Sequence, residues 1–176
     1  PSERVKRRLG RELARLLTIW QVARRERPHI FMGYHIMPNA PLAILGAALS
    51  GGRAIYQMTG GPIQVQEGGY QSENKVLRAT GRPSAAREHL LFRLLRKFDL
   101  IIVRGRNART YVETNQLNRK CAILTGAIDI KRFQPAPADL KEFDVISVGR
   151  LVPEKGIDNL VRTSAAIMAR GGAKLS

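Results

Sequence analysis

Three residues near the end of the chain have the types and spacing to hold an anion. Gly149, Arg150 and Lys155 sit in Val145-Ile146-Ser147-Val148-Gly149-Arg150-Leu151-Val152-Pro153-Glu154-Lys155-Gly156. The apolar run Val145 to Val148 stops at a glycine, the pattern of a buried parallel strand reaching its carboxyl end. After the turn, Ile157, Leu160, Val161, Ala165 and Met168 recur at helical spacing. Arg150 and Lys155 therefore flank a strand-to-helix turn. Free backbone N–H groups and the positive end of a helix dipole meet there, and both favour anions. An arginine adds a planar fork for phosphate oxygens and a lysine adds a point charge. The same spacing fits a solvated turn with two surface cations equally well, because neither a Walker A pattern nor G-x-G-x-x-G is present.

A second group precedes it. His35 closes the apolar stretch His29-Ile30-Phe31-Met32-Gly33-Tyr34, and Thr59-Gly60-Gly61 follows Arg53 to Met58. Both positions read as strand carboxyl ends, the edge at which open α/β sheets bind ligands. His35 suits a sugar or phosphate contact, or a hydrogen-bonded structural role. The Gly60-Gly61 turn lets backbone approach a ligand closely, and it also serves a plain flexible loop. Arg104, Arg106 and Arg109 cluster after Leu100 to Val103 and read first as surface cations.

The elements that must position these residues alternate. A helix is expected over 3–26, its apolar stripe Val5, Leu9, Leu13, Leu16, Leu17 and Trp20 covering a sheet while its arginines face water. Strands are expected at 29–35, 53–58, 99–103 and 122–124. Helices are expected at 41–50, closed by Gly51-Gly52, at 84–98 from a Ser84 cap with Leu90, Leu91, Leu94, Leu95 and Phe98 inward, and at 108–115. His89 beside that face is read as ordinary. The stretch through Gly68-Gly69-Tyr70 to Pro83 reads as a long polar loop, functional or mobile. Asp129 reads as a turn builder. Strand and helix in alternation predict an α/β fold with Rossmann-like parallel sheets and flanking helices. Residues 1–134 form a first domain, the Pro-rich 135–142 a linker, and 143–176 the first βα unit of a second. Pro1 at the start and Ala173 to Ser176 at the end read as a segment of a longer protein.

Composition narrows the partners. Thirty Lys and Arg against fourteen Asp and Glu give a formal +16 and a pI near 11.2, a surface for phosphorylated substrates, anionic lipid or nucleic acid. Aromatic residues are only 6% and are not interleaved with the cations, which argues against a single-stranded nucleic-acid platform. The single cysteine, Cys121, rules out a disulfide framework and suits a small buried hydrophobe in a cytoplasmic protein. No run is long and apolar enough to span a bilayer, but the basic first helix suits peripheral contact with an anionic membrane.

Two motifs together resemble the GT-B glycosyltransferases of family 4. One is Val148-Gly149-Arg150-Leu151 with Glu154-Lys155-Gly156-Ile157-Asp158. The other is Gly126-Ala127-Ile128-Asp129-Ile130-Lys131-Arg132-Phe133, similar to the Gly-Val-Asp…Arg-Phe element before that family's domain linker. The resemblance covers roughly residues 26–176. It departs from the family at Pro28-His29, where Pro-Asp is usual, at Thr125 in place of Asn, and near Thr59, where many relatives carry a His. It implies two Rossmann-like domains and retaining transfer of a sugar from a nucleotide-diphosphate donor to an acceptor hydroxyl on a glycan or lipid. By that resemblance Gly149, Arg150 and Lys155 bind the donor diphosphate, and His35, Thr59, Gly60 and Gly61 stand near substrate. No metal or other cofactor is implied. The family's acidic pair would lie past Ser176 and its glycine loop before Pro1, so this segment by itself is expected to be inactive. A basic nucleic-acid-binding module and a noncatalytic interaction domain are the rival readings.

Overall fold

The computed structural model describes residues 10–134, 145–149, 151 and 155–170. The chain forms two compact units, 1–127 and 128–176; the expected linker 135–142 and Arg150 lie outside the described residues.

The first unit is α/β. In order it holds α1 (Arg11–Arg25), β1 (Ile30–Tyr34), α2 (Asn39–Ser50), β2 (Arg53–Met58), α3 (Lys75–Arg78), α4 (Ala85–Leu95), β3 (Leu100–Val103), α5 (Arg106–Thr114) and β4 (Cys121–Ile123). The four strands pair in parallel in the order β1-β2-β3-β4. Parallel neighbours need a crossover, and crossovers in one sheet are right-handed. Consecutive strand order therefore sends every helix to the same face. The burial pattern agrees. Phe31, Ala54, Tyr56, Met58, Ile101 and Val103 point into one core. Ala40, Ala43 and Ala47 of α2, Leu91 and Leu95 of α4, and Val112 of α5 meet them there. On the opposite face Ile30, Met32 and Tyr34 are 56%, 40% and 46% exposed.

Small residues let α2 lie close to the sheet. A Cβ on Gly33 would stand 3.3 Å from the Ala40 Cα, and one on Gly46 would overlap the Phe31 ring. The helix ends at Gly51 in the left-handed conformation (φ 73°), as a C-cap glycine should. Ser84 caps α4, its Oγ accepting from the Arg87 N–H at 3.3 Å. The sheet's register is held at its amino edge: the Asp99 carboxylate accepts from the Ala54 N–H and from Arg53 Nη1, each at 2.8 Å. Those bonds, the backbone one first and the arginine second, hold the Asp99 carboxyl below the usual carboxylate range.

Three expectations are corrected. The stripe Leu13, Leu16, Leu17 and Trp20 does not cover the sheet; it is 37–47% exposed. Helix α1 packs on α2 instead, turning in the half that runs from Ala14 through Thr18, Ile19 and Val22 to Ala23; Val5 and Leu9 lie outside the described residues. Leu90 is 64% exposed, because a helix on one face of a sheet buries a stripe, here Leu91, Leu95 and the following Phe98, and not a whole flank. The stretch 59–84 is not an open loop. It folds into 3₁₀ turns at Pro62–Gln64 and Gln66–Gly69 and the short α3, burying Gln64, Val65, Ser72 and Leu77. Arg87 braces it through the carbonyls of Gly68 (3.1 Å) and Arg82 (2.7 Å).

In the second unit Asp129 builds its turn, Oδ1 accepting from the Lys131 N–H at 3.0 Å. Helix α6 runs Ile157–Ala169. Val145 to Val148 is not a buried strand: no described strand pairs with it, and Ile146 and Val148 are 76% and 92% exposed. A parallel strand exists only by its ladder, and none of its expected neighbours is present among the described residues. Val145 and Ser147 instead share an open groove of about 360 Å³ with Leu160, Val161, Ala165 and Met168 of α6.

Two outcomes test these contacts. Gly46→Ala should cost about 1–3 kcal/mol, the usual cost of overpacking, read as a lower urea midpoint. Asp99→Asn should destabilise the protein at neutral pH. Because the folded-state pKa of Asp99 is depressed, its contribution is present above the ordinary carboxylate range and is lost as pH falls through the lowered value. The midpoint difference between wild type and Asp99→Asn should therefore shrink in acid; a constant difference across that range would mean the carboxylate does not pin the register.

Candidate functional site

In the first unit the site residues gather because parallel strands deliver all their carboxyl ends to one edge. Tyr34 pairs with Gln57 and Met58 with Val103, so His35, Thr59 and Arg104 leave the sheet side by side. His35 is exposed and takes the left-handed conformation at φ 60°, a geometry rare outside glycine that histidine tolerates better than most residues. Just beyond, Asn39 Nδ2 donates to the Tyr34 carbonyl at 2.7 Å and secures the end of β1.

Thr59, Gly60 and Gly61 are held from below by two residues that sequence reasoning did not single out. The Tyr56 hydroxyl donates to Gln64 Oε1 at 2.8 Å, and Gln64 Nε2 reaches Thr59 Oγ1 at 3.4 Å. Gln64 is 5% exposed and Tyr56 fully buried, so the pair sits where an unmet polar group would be expensive. Burial pushes the Tyr56 phenol well above its ordinary pKa and keeps it a donor. A Cβ on Gly60 would come within 3.1 Å of Gln64 Nε2, so the glycine lets the turn close over the amide without displacing it. Gly61 supplies φ 72° ahead of the 3₁₀ turn.

Asn74 ties this loop to the loop after β1. Its Nδ2 donates to the Met37 carbonyl at 2.5 Å while its Oδ1 accepts from Val76 and Leu77 N–H. An Asn ahead of Lys75-Val76-Leu77 is a helix-cap signal, so its cap was legible in the sequence; its bond to Met37 was not. The polar residues Gln66, Glu67 and Gln71 with Ile63 line a cavity of about 140 Å³ beside the turn.

The arginine cluster divides. Arg109 pairs with Glu113 at 2.7 Å, while Arg104 and Arg106 are exposed around the Gly105 cap of α5. Cys121 is half-buried, and that burial raises its thiol pKa, so it is not a ready nucleophile. Among the described residues no cluster of His, Cys, Asp and Glu could hold a metal ion.

In the second unit, Gly149 and Lys155 come together. A Cβ on Gly149 would lie 4.0 Å from Lys155 Cγ, so the lysine stem passes beside the glycine. Gly156, at φ 62°, turns the chain into α6, and among the described residues no side chain caps that helix. The first amides of α6 therefore lack the side-chain acceptor that most helices supply. An exposed lysine beside an uncapped helix N-terminus is an arrangement that takes an anionic oxygen.

Comparison with known protein-family models, curated proteins and solved structures finds no match.

Replacing Gln64 by Leu should leave the Tyr56 hydroxyl buried without its acceptor and cost about 1–3 kcal/mol. Urea unfolding measures that loss; an unchanged midpoint would show that the Tyr56–Gln64 bond does not hold the turn.

Proposed function

We propose that this chain is part of a retaining GT-B glycosyltransferase that moves a sugar from a nucleotide-diphosphate donor to an acceptor hydroxyl, with Gly149, Arg150 and Lys155 at the donor diphosphate. The observation that carries the reading is the approach of Lys155 to Gly149 at the uncapped start of α6. An anomeric C–O bond breaks with its electron pair going to the diphosphate, while the acceptor oxygen forms the new bond and passes its proton to the departing diphosphate. The growing charge on the leaving group falls where an ammonium and oriented N–H dipoles stabilise it. Lys155 acts there as a point charge, and Arg150 completes the grip with its fork.

The first unit supports the reading in two ways. Its four-stranded parallel sheet collects His35, Thr59, Gly60 and Gly61 at one edge, the edge at which open α/β sheets take ligands. A doubly wound domain also carries helices on both faces. The exposed Ile30, Met32 and Tyr34 offer the apolar surface that a second layer requires.

Calorimetric titration with UDP, GDP and ADP tests the proposal. At least one diphosphate should bind, and Lys155→Ala or Arg150→Ala should weaken it about tenfold or more, the scale of one charge-assisted hydrogen bond. The corresponding monophosphate should be less sensitive to both changes. Equal affinity in wild type and both variants would defeat the donor assignment. DNA binding that falls steeply with salt and ignores nucleoside diphosphates would favour a nucleic-acid module instead.

A further inference from the structure

We infer that α1 is a membrane-surface helix whose outward stripe settles into an anionic lipid bilayer. The inference does not rest on the transferase reading. It starts from the face that α1 leaves uncovered. Leu13, Leu16, Leu17 and Trp20 recur at three- and four-residue steps, so they stack on one side of the helix. All four are large and apolar, and they are 47%, 42%, 37% and 46% exposed. The other half is used up: Ala14 and Ala23 are fully buried at its margins, Thr18, Ile19 and Val22 are half-buried between them, and Thr18 Oγ1 donates to the Ala14 carbonyl at 2.8 Å.

Such a stripe on a soluble surface needs an occupant, and charge selects one. Residues 1–27 contain nine Lys or Arg and three Glu. At one end of the stripe the Arg24 guanidinium lies 5.5 Å from the centre of the Trp20 ring. Two copies of this helix packed stripe to stripe would bring like charges together, which is costly at an interface. An anionic bilayer meets both demands. The leucines enter the acyl boundary, Trp20 takes the headgroup level that its amphipathic ring prefers, and Arg24 beside it reaches the phosphates. Fifteen residues make a helix of about 22 Å, long enough to lie along the surface. Among the described residues no helix is long and apolar enough to cross a membrane, so the contact is peripheral.

Trp20 is the only tryptophan in the chain, so its fluorescence reports on the stripe directly. Vesicles of phosphatidylcholine with phosphatidylglycerol should bind the protein, shift Trp20 emission to the blue and, when the lipid is brominated, quench it. Phosphatidylcholine alone should do none of these. Leu16→Ser with Leu17→Ser leaves charge unchanged and should weaken vesicle binding about tenfold or more, from the apolar area withdrawn from lipid. If that variant bound as tightly as wild type, adhesion would be diffuse charge and the inference would fall. A dimer by light scattering that the variant dissolves, with vesicle binding untouched, would assign the stripe to a second copy and overturn it as well. Should circular dichroism show the variant unfolded, wild-type quenching decides the matter: no quenching by brominated anionic lipid ends the proposal.

Discussion

The structure of the first unit follows from strand order. Four parallel strands laid down one beside the next leave each crossover the same choice of side. α2, α4 and α5 accordingly share one core with Phe31, Tyr56, Met58, Ile101 and Val103. Two consequences come from that arrangement without any further residue being specified. All carboxyl ends open at one edge, where His35 and the Thr59 turn collect, and one sheet face keeps Ile30, Met32 and Tyr34 in water.

The packing on the covered face is close because its residues are small. Alanines on α2, with Gly33 below and Gly46 above the Phe31 ring, bring helix and sheet together. The 59–84 segment then uses the same economy of space for polar groups. Gln64 and Ser72 are buried, and each has a partner, Tyr56 with Thr59 for one and the Gly69 carbonyl for the other. No buried side-chain polar atom among the described residues lacks a hydrogen bond. This interior satisfaction gives the Gly60-Gly61 turn a defined shape, which a solvated loop of the same composition would not have.

The two units contribute different kinds of surface. The first offers an edge of turns, with a histidine in a left-handed conformation and glycines that admit a ligand. The second offers a lysine beside Gly149 at a helix start. In the transferase reading the first serves an acceptor and the second a donor. The +16 charge of the chain suits an anionic ligand, and in α1 an anionic surface, but charge by itself discriminates between neither.

Local chemistry made several features readable from the chain. Ser84 as a cap, Gly51 as a helix stop and Asp129 as a turn builder each depend on one or two neighbours, so residue type suffices. The alternation of strand and helix likewise announced a parallel sheet. What a residue faces was decided only by the fold. Leu13, Leu16, Leu17 and Trp20 have the periodicity of a core stripe, yet α1 turns inward the other half, with Thr18, Ile19 and Val22 between Ala14 and Ala23. Val145 to Val148 has the composition of a strand, but strand formation needs hydrogen-bonding neighbours that composition cannot supply. Gln64 became a structural residue only when Tyr56, eight positions earlier, was brought over it. Apolar periodicity states that a face can be buried; which face is buried depends on the shape of the surface it meets.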